Sequence, residues 1–204
     1  MKRKIKKSNI ILLAAVVYVF IITAFEVLNI QNDIDKIGIT KHKLNYIGCI
    51  SAEDNVQISL TQGDSNYVEV TPGIEMFYSS GCLSLYGKGS ALLTVKRNTV
   101  QEIYGKNNAI IKGEPGKALE YIQGSDNSII ELMIPDKNLN KMELNFSDNS
   151  FVKLFTKKIE KVDATADNNA IIKIIAEVDT AQERKLKHGR IFIKKVNFQT
   201  TEQK

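Results

Sequence analysis

The sequence predicts an all-β fold, built as a β-solenoid with coils of about 20 residues and preceded by one N-terminal transmembrane helix. Three observations predict it. Four similar Asn-containing segments recur at spacings of 19, 22 and 20 residues, the segments between them alternate apolar and polar side chains, and an uncharged apolar run follows a basic N-terminus. The 204 residues, 43% hydrophobic and 25% charged, suffice for one globular domain plus an appendage.

The N-terminus carries the excess positive charge of the chain. Five of the 28 Lys and Arg residues lie within the first seven positions, and the remaining 23 balance the 23 Asp and Glu residues. The body is therefore neutral, which argues against a nucleic-acid partner. Ile10 to Phe25 contains no charged residue. Basic residues before an apolar segment hold that end in the cytoplasm.

We therefore expect residues 1–7 to be a cytoplasmic tail and residues 8–30 a signal anchor that contacts membrane lipid. The chain would be a single-pass protein of the inner membrane, with its C-terminal domain in the periplasm. A cleaved signal is the alternative. Ala24 fits the cleavage position, but Ile22 occupies the place where a small residue is preferred.

The segments before the repeats are also predicted to be strands. Residues 31–44 are polar and are interpreted as a stalk. Val56, Ile58 and Leu60 alternate with polar residues, and a turn at residues 63–66 precedes a second alternating run. This pattern indicates a hairpin or a corner of the solenoid.

The four repeats share an Asn and its apolar flanks. The anchors are Asn108, Asn127, Asn149 and Asn169. Five residues before them lie Ile103, Ile122, Leu144 and Ala164, and two residues after them lie Ile110, Ile129, Phe151 and Ile171. Such a unit cannot bury its own apolar face, so successive coils must stack. We expect a solenoid domain over residues 45–198 and a tail over residues 199–204.

Asn and Asp dominate the predicted turns. The four Asn anchors are interpreted as turn residues or as an Asn ladder, since Asn tolerates left-handed backbone and stacks between equivalent strands. Asp126, Asp148 and Asp167 lie near equivalent positions and would form an acidic column. This column is either a ligand-binding site for Ca²⁺ or sugar hydroxyls, or a set of solvated turn residues.

At this point the sequence resembles the GIN domain, an auto-transporter adhesin head domain of Bacteroidetes envelopes. The resemblance rests on residues 62–64 (Gln-Gly-Asp), residues 67–70 (Tyr-Val-Glu-Val), residues 81–85 (Gly-Cys-Leu-Ser-Leu) and the repeats that follow. It covers roughly residues 45–195. The Asp-Asn turns depart from the Gly-Ala-Ser type of the family. The resemblance implies a single-stranded, right-handed parallel β-helix outside the cytoplasm, and it implies no established activity.

The remaining residue types point to little chemistry. Cys49 and Cys82 would form a disulfide in an oxidising compartment, or else pack as two small buried side chains. Two His and two Cys residues do not make a zinc site, and no nucleophile elbow or phosphate-binding loop is present. The sequence therefore predicts no catalytic residue, no metal site and no cofactor. A basic region over residues 184–195 is interpreted as a charged cap on the last coil, and its alternative role is contact with anionic lipopolysaccharide, lipid headgroups or an acidic glycan.

These observations favour a non-enzymatic binding or adhesion module of the cell envelope, with a glycan or an envelope protein as its partner. A structural protein that self-associates as a homo-oligomer or scaffolds a membrane complex is the second hypothesis. The third is an enzyme acting on polysaccharide, with Asp126 and Asp148 as its carboxylate pair.

Overall fold

The computed structural model describes residues 38–97 and 99–194, apart from the side chains of residues 135–137. The predicted cytoplasmic tail, the anchor helix, residues 31–37 and the tail after residue 194 lie outside this part. The chain divides into two compact units, Met1–Ile39 and Thr40–Lys204. Within the described ranges, no helix has the length and apolarity needed to cross a membrane.

All regular structure in the described ranges is β-strand, which confirms the all-β prediction. Every strand belongs to the second unit. The strands are β1 (Thr40–Leu44), β2 (Cys49–Ala52), β3 (Val56–Gly63), β4 (Asn66–Val70), β5 (Ile74–Ser79), β6 (Cys82–Gly87), β7 (Gly89–Lys96), β8 (Glu102–Gly105), β9 (Ile110–Gly113), β10 (Tyr121–Gly124), β11 (Ile129–Phe146), β12 (Phe151–Ala166), β13 (Ile171–Lys185) and β14 (Arg190–Lys194).

The strands form one sheet with two parallel stacks. The first stack runs β7, β3, β9, β11, β12, β13, β14, and the second runs β6, β2, β8, β10, β11, β12, β13. The long strands β11 and β12 belong to both stacks. Their amino-terminal and carboxyl-terminal halves are separated by register irregularities between Ile134 and Asn138 and between Phe155 and Lys158.

The pairing register agrees with the repeat alignment predicted from the sequence. Ile129 pairs with Ile110 and with Phe151, and Phe151 pairs with Ile171. In the second stack Ile122 lies between Ile103 and Leu144. Each inserted or deleted residue between repeats therefore falls outside the paired segments.

The region before the repeats differs from the expected parallel coils. β1 lies within the predicted stalk, so the sheet begins at Thr40. β4 pairs antiparallel with β1 and β7 rather than with β3, so the predicted turn at residues 63–66 does not close a hairpin. β3 instead pairs in parallel with β7 and β9, which leaves no edge of β3 for β4.

The core is built by alternation along each strand. In β12, Val152 and Leu154 are fully buried, whereas Phe151 and Lys153 are only partly buried on the opposite side of the strand. Because the strands are parallel and in register, buried positions line up across the stack, as Ile130, Val152 and Ile172 do. The opposite positions form outward-facing columns.

Candidate functional site

The Asx turns place two consecutive residues in the left-handed region at each repeat. The pairs are Asp54–Asn55, Asn107–Asn108, Asp126–Asn127, Asp148–Asn149 and Asn168–Asn169, and Lys187–His188 adopts the same backbone without Asn or Asp. Left-handed backbone disfavours most residues with a Cβ, whereas Asn and Asp tolerate it. The left-handed backbone therefore accounts for the Asn and Asp residues at the turns.

Backbone hydrogen bonds join each turn to the next. The Asn108 N–H donates to the Asp126 carbonyl at 2.9 Å, and the Asn127 N–H donates to the Asp148 carbonyl at 2.9 Å. The Asn149 N–H continues the pattern onto Asn168 at 3.0 Å. The turns thus stack as regularly as the strands do.

The three predicted Asp residues do not form one column. The Asp167 N–H donates to the Phe146 carbonyl, as the Ser147 N–H donates to the Gly124 carbonyl in the preceding repeat. Asp167 is therefore equivalent to Ser147 and lies one position before the equivalent of Asp148. The column therefore contains Asp54, Asn107, Asp126, Asp148, Asn168 and Lys187, and its three carboxylates are those of Asp54, Asp126 and Asp148. The predicted acidic column is wrong in its third member, because the last repeat carries Asn at that place.

Side-chain bonds between the turns are local and mostly involve amides. Asn168 Nδ2 donates to Asp148 Oδ1 at 2.5 Å, and Asn169 Nδ2 donates to Asn149 Oδ1 at 3.3 Å. The amide of Asn168 and the hydroxyl of Ser147 hold the pKa of the Asp148 carboxyl below its usual value. Within the described residues, no group of three His, Cys, Asp or Glu residues is arranged to hold a metal ion.

Cys49 and Cys82 are joined by a disulfide between neighbouring strands. They are direct register partners of β2 and β6, with their Cα atoms 4.4 Å apart. Both project from the outward side of the second stack, since their neighbours Ile50 and Leu83 are fully buried. The disulfide covalently links two adjacent strands of the second stack.

The same outward side carries a surface that combines aromatic, amide and carboxylate groups. We call it the tyrosine face, and it consists of Glu102, Tyr104, Tyr121, Gln123, Glu143 and Asn145. Strand register brings these residues together: Tyr121 lies between Glu102 and Glu143, and Gln123 lies between Tyr104 and Asn145. All six side chains are exposed or half-buried.

Hydrogen bonds fix the orientation of the two tyrosines. The Tyr104 hydroxyl donates to Glu102 Oε2 at 2.6 Å, and the Tyr121 hydroxyl donates to Gln123 Oε1 at 2.9 Å. Asn145 Nδ2 lies 3.3 Å from the Tyr121 oxygen. The two rings have centroids 5.5 Å apart and are tilted by 44°, so they form two differently inclined apolar platforms.

A cavity of about 210 Å³ adjoins Tyr104. The residues that line it include Glu53, Lys106, Gln123 and Ser125. Lys106 Nζ lies 3.4 Å from Glu53 Oε1, and Ser125 lies beside the Asp126 turn, where its hydroxyl donates to Asp126 Oδ2 at 2.9 Å. The cavity offers donors and acceptors next to an aromatic ring.

The Tyr104 hydroxyl remains protonated and able to donate. Partial burial raises its pKa well above the usual value, and its hydrogen bond to the Glu102 carboxylate raises the pKa further. An aromatic ring surrounded by fixed hydroxyl, amide and carboxylate groups can bind a ligand that has both C–H faces and hydroxyl edges.

The sequence analysis did not identify the tyrosine face, although its repeat alignment contained the signal. Ile103, Ile122 and Leu144 were aligned as equivalent buried positions, so Tyr104, Gln123 and Asn145 follow them as equivalent outward positions. The residues that follow the buried anchors therefore predict the column of Tyr104, Gln123 and Asn145. The diagonal approach of Tyr104 and Tyr121 requires the three-dimensional register.

Comparison with family models and with curated proteins finds no match. Similar solved structures include three bacterial proteins. They are a "putative cell adhesion protein" from Clostridium sporogenes (13% identity, TM-score 0.44, 78% of this chain and 99% of that one), a "putative adhesin" from Bacteroides fragilis (13%, 0.39, 78% and 96%), and a "putative adhesin" from Parabacteroides merdae (12%, 0.34, 78% and 96%). At these TM-scores the similarity does not establish a shared fold.

Proposed function

We propose that this protein is a non-enzymatic binding module of the cell envelope that recognises carbohydrate through the tyrosine face. The parallel stacks belong, in this proposal, to a right-handed parallel β-helix of the GIN type. The N-terminal segment anchors the domain on the outer side of the inner membrane. The basic residues before the apolar run support this topology, and the Cys49–Cys82 disulfide suits an oxidising compartment.

The observation that carries the proposal is the fixed arrangement of Tyr104 and Tyr121, with Tyr104 beside a cavity that Glu53, Lys106 and Gln123 also line. A sugar ring presents C–H groups on its faces and hydroxyls around its edge. The faces pack on aromatic rings, while the edge hydroxyls pair with amides and carboxylates. Neighbouring residues already hold both tyrosines in place, so little side-chain freedom is lost on binding.

The strand spacing and the extent of the face suit an oligosaccharide rather than a single sugar. Outward side chains repeat about every 4.8 Å across parallel strands. The face continues past β11 onto β12, where Asp163 and Thr165 are the register partners of Glu143 and Asn145. A stacked array of this kind presents an extended surface that an extended polymer can follow.

The test is binding of the full chain in detergent to an array of bacterial and host oligosaccharides. The proposal expects selective retention of a glycan class. Tyr104→Ala and Tyr121→Ala should each weaken binding on the order of tenfold or more, since a stacked aromatic contributes about 1.5 kcal/mol beyond its buried area.

Tyr86→Ala is the matched control, because Tyr86 is an exposed tyrosine on β6 outside the tyrosine face. It should bind as the unmodified chain does. Equal losses for Tyr86→Ala and Tyr121→Ala, or no retention of any glycan by the unmodified chain, would refute carbohydrate recognition at this face.

A further inference from the structure

A second outward surface lies on the first stack, and we propose that it docks on an anionic phospholipid bilayer. We call it the cationic–apolar face: Lys153, Phe155, Lys173, Ile175, Phe192 and Lys194. This proposal concerns a different part of the sheet from the tyrosine face and does not rest on carbohydrate binding.

The face is a regular grid, because three parallel strands are in register. Lys153, Lys173 and Phe192 are register partners across β12, β13 and β14, and Phe155, Ile175 and Lys194 form the next outward column. The intervening Leu154 and Ile174 are fully buried, which shows that the grid side chains point away from the core. Apolar and cationic groups therefore share one side of the sheet.

Apolar side chains on this face are open to solvent. Phe192 is 53% exposed, and Met133, on the neighbouring β11, is 50% exposed. A groove of about 470 Å³ adjoins Met133, and its lining combines the apolar Met133, Phe155 and Ile175 with the charged Lys112, Glu131 and Lys153. Exposed apolar groups gathered around a groove mark an interaction surface.

The charge of the face selects an anionic partner. Arg190 adds a fourth cation two residues before Phe192, and none of Lys153, Lys173, Arg190 and Lys194 forms an ion pair with another described residue. Glu131 is the register partner of Lys153 on one side and of Lys112 on the other, and it pairs with Lys112.

Glu131 contacts Lys112 at 2.7 Å, and Glu177 is the register partner of Lys158. The six grid positions themselves include no carboxylate.

The mixture of charge and exposed apolar surface favours a bilayer over a soluble polyanion. Lys and Arg next to an anionic membrane each contribute attraction through the surface potential, while aromatic and aliphatic tips enter the boundary between headgroups and acyl chains. A polyanion in water would satisfy the four cations and leave Phe192 and Met133 exposed. We therefore assign the phospholipid surface as the partner.

The chain contains no Trp, so one introduced Trp reports on a single place. Residues 40–204 form a compact unit that contains the whole described core. The experiment uses this fragment with Phe192→Trp, mixed with vesicles of phosphatidylcholine alone or of phosphatidylcholine with phosphatidylglycerol. We expect a blue shift of Trp emission, and quenching by lipids brominated in the acyl chains, only with the anionic vesicles.

Two variants make the result specific. Removing the four cations (Lys153→Gln, Lys173→Gln, Arg190→Gln and Lys194→Gln) in the Phe192→Trp background should weaken vesicle binding about fivefold for each cation. Tyr86→Trp places the probe on β6, in the other stack, and should show neither blue shift nor quenching.

The Phe192→Trp and Tyr86→Trp variants of the full chain, reconstituted in bilayer discs of the two compositions, repeat the test if the fragment does not fold. Quenching of the Phe192→Trp variant but not of the Tyr86→Trp variant, present only in anionic discs, supports the proposal. Equal quenching in both compositions, equal quenching of both variants, or a charge-dependent shift without quenching by the brominated acyl chains would overturn it.

Discussion

Asp148 illustrates how a single turn residue is tuned by its neighbour. Its carboxyl accepts the amide of Asn168 from the next turn, and this bond is the main cause of its lowered pKa. A lowered carboxyl pKa stabilises the fold at pH values above the ordinary 3.8 and loses that contribution as the pH falls through the lowered value. The bond therefore holds the two coils together more strongly at pH values where Asp148 is ionised, because the charged carboxylate is the stronger acceptor.

We predict that Asn168→Gly raises the pKa of Asp148 towards its ordinary value. Glycine keeps the left-handed backbone of the turn and removes only the amide donor. Carbon-detected NMR titration of the Asp148 carboxyl measures the change. Asn108→Gly, in another turn, is the control and should leave Asp148 unaffected; an Asp148 pKa that does not move in Asn168→Gly contradicts the assignment.

Tyr104 provides a second residue-scale prediction. Burial is the largest cause of its raised pKa and the Glu102 hydrogen bond is the next. Glu102→Gln should therefore lower the Tyr104 pKa, yet leave it above the ordinary 10.0. The phenolate absorbance titration, taken as the difference from Tyr104→Phe, gives the value.

A raised Tyr pKa stabilises the fold below pH 10.0, and that contribution disappears as the pH rises towards the folded-state value. Stability of the unmodified chain should thus decline at high pH, and Tyr104→Phe should remove part of that decline. An unchanged pKa in Glu102→Gln would show that the carboxylate does not act on the phenol.

At the scale of the element, the alternation of side chains along β12 gives the strand an inward and an outward side. Its inward side chains build the core, and its outward side chains build surfaces on both stacks. Parallel neighbours on each side, β11 and β13, bury the inward residues between two equivalent rows. The inward side of β12 therefore stabilises the core, and its outward side contributes to the two proposed binding surfaces.

Leu154→Ala should lower the free energy of unfolding by about 2–5 kcal/mol, because it leaves a cavity in a fully buried row. Lys153→Ala, the adjacent outward position, should change it by less than about 0.5 kcal/mol. Urea unfolding followed by circular dichroism compares the two. Similar effects at both positions would contradict the inward and outward assignment.

The disulfide between β2 and β6 is the second element-scale test. It closes a loop with a sequence separation of 33. Replacing both Cys49 and Cys82 with Ser should destabilise the domain by roughly 3–4 kcal/mol, chiefly because the unfolded chain gains freedom. Unfolding of the double variant and of the oxidised parent, compared in the same buffer, measures this cost; equal stability would argue against the linkage.

On the scale of the whole molecule, the stacked architecture leaves a strand edge. Thr180–Lys185 of β13 pairs with β12, whereas β14 pairs only with residues 171–175 among the described part of the chain. All six residues of this segment are exposed. Glu183 and Lys185 are the register partners of the buried Ala164 and Ala166, so they occupy inward positions of the strand. Their side chains form an ion pair at 2.7 Å.

Charged residues at inward positions of an edge oppose pairing with a second chain. We therefore predict that Glu183→Val combined with Lys185→Val promotes self-association, while the unmodified chain sediments as a monomer in detergent. Sedimentation velocity across a range of concentrations distinguishes them. Concentration-dependent dimers of the unmodified chain would instead favour the structural, self-associating role.

The sequence by itself determined the all-β class and the register of the repeats. Alternation and recurrence are properties of neighbouring residues along the chain, and parallel coils must align equivalent positions to share one core. The composition of the turns followed for the same reason, since left-handed backbone selects Asn and Asp locally.

Only the tertiary structure decided which outward residues assemble into surfaces. The position of Asp167 depended on one residue of register, and the placement of β4 against β7 depended on competition for strand edges. The tyrosine face joins residues from β8, β10 and β11, and the cationic–apolar face joins β12, β13 and β14. Outward columns carry no periodic apolar signal, because burial does not constrain them. The repeat alignment therefore places their members side by side, but only the pairing of the strands sets diagonal contacts such as that of Tyr104 with Tyr121.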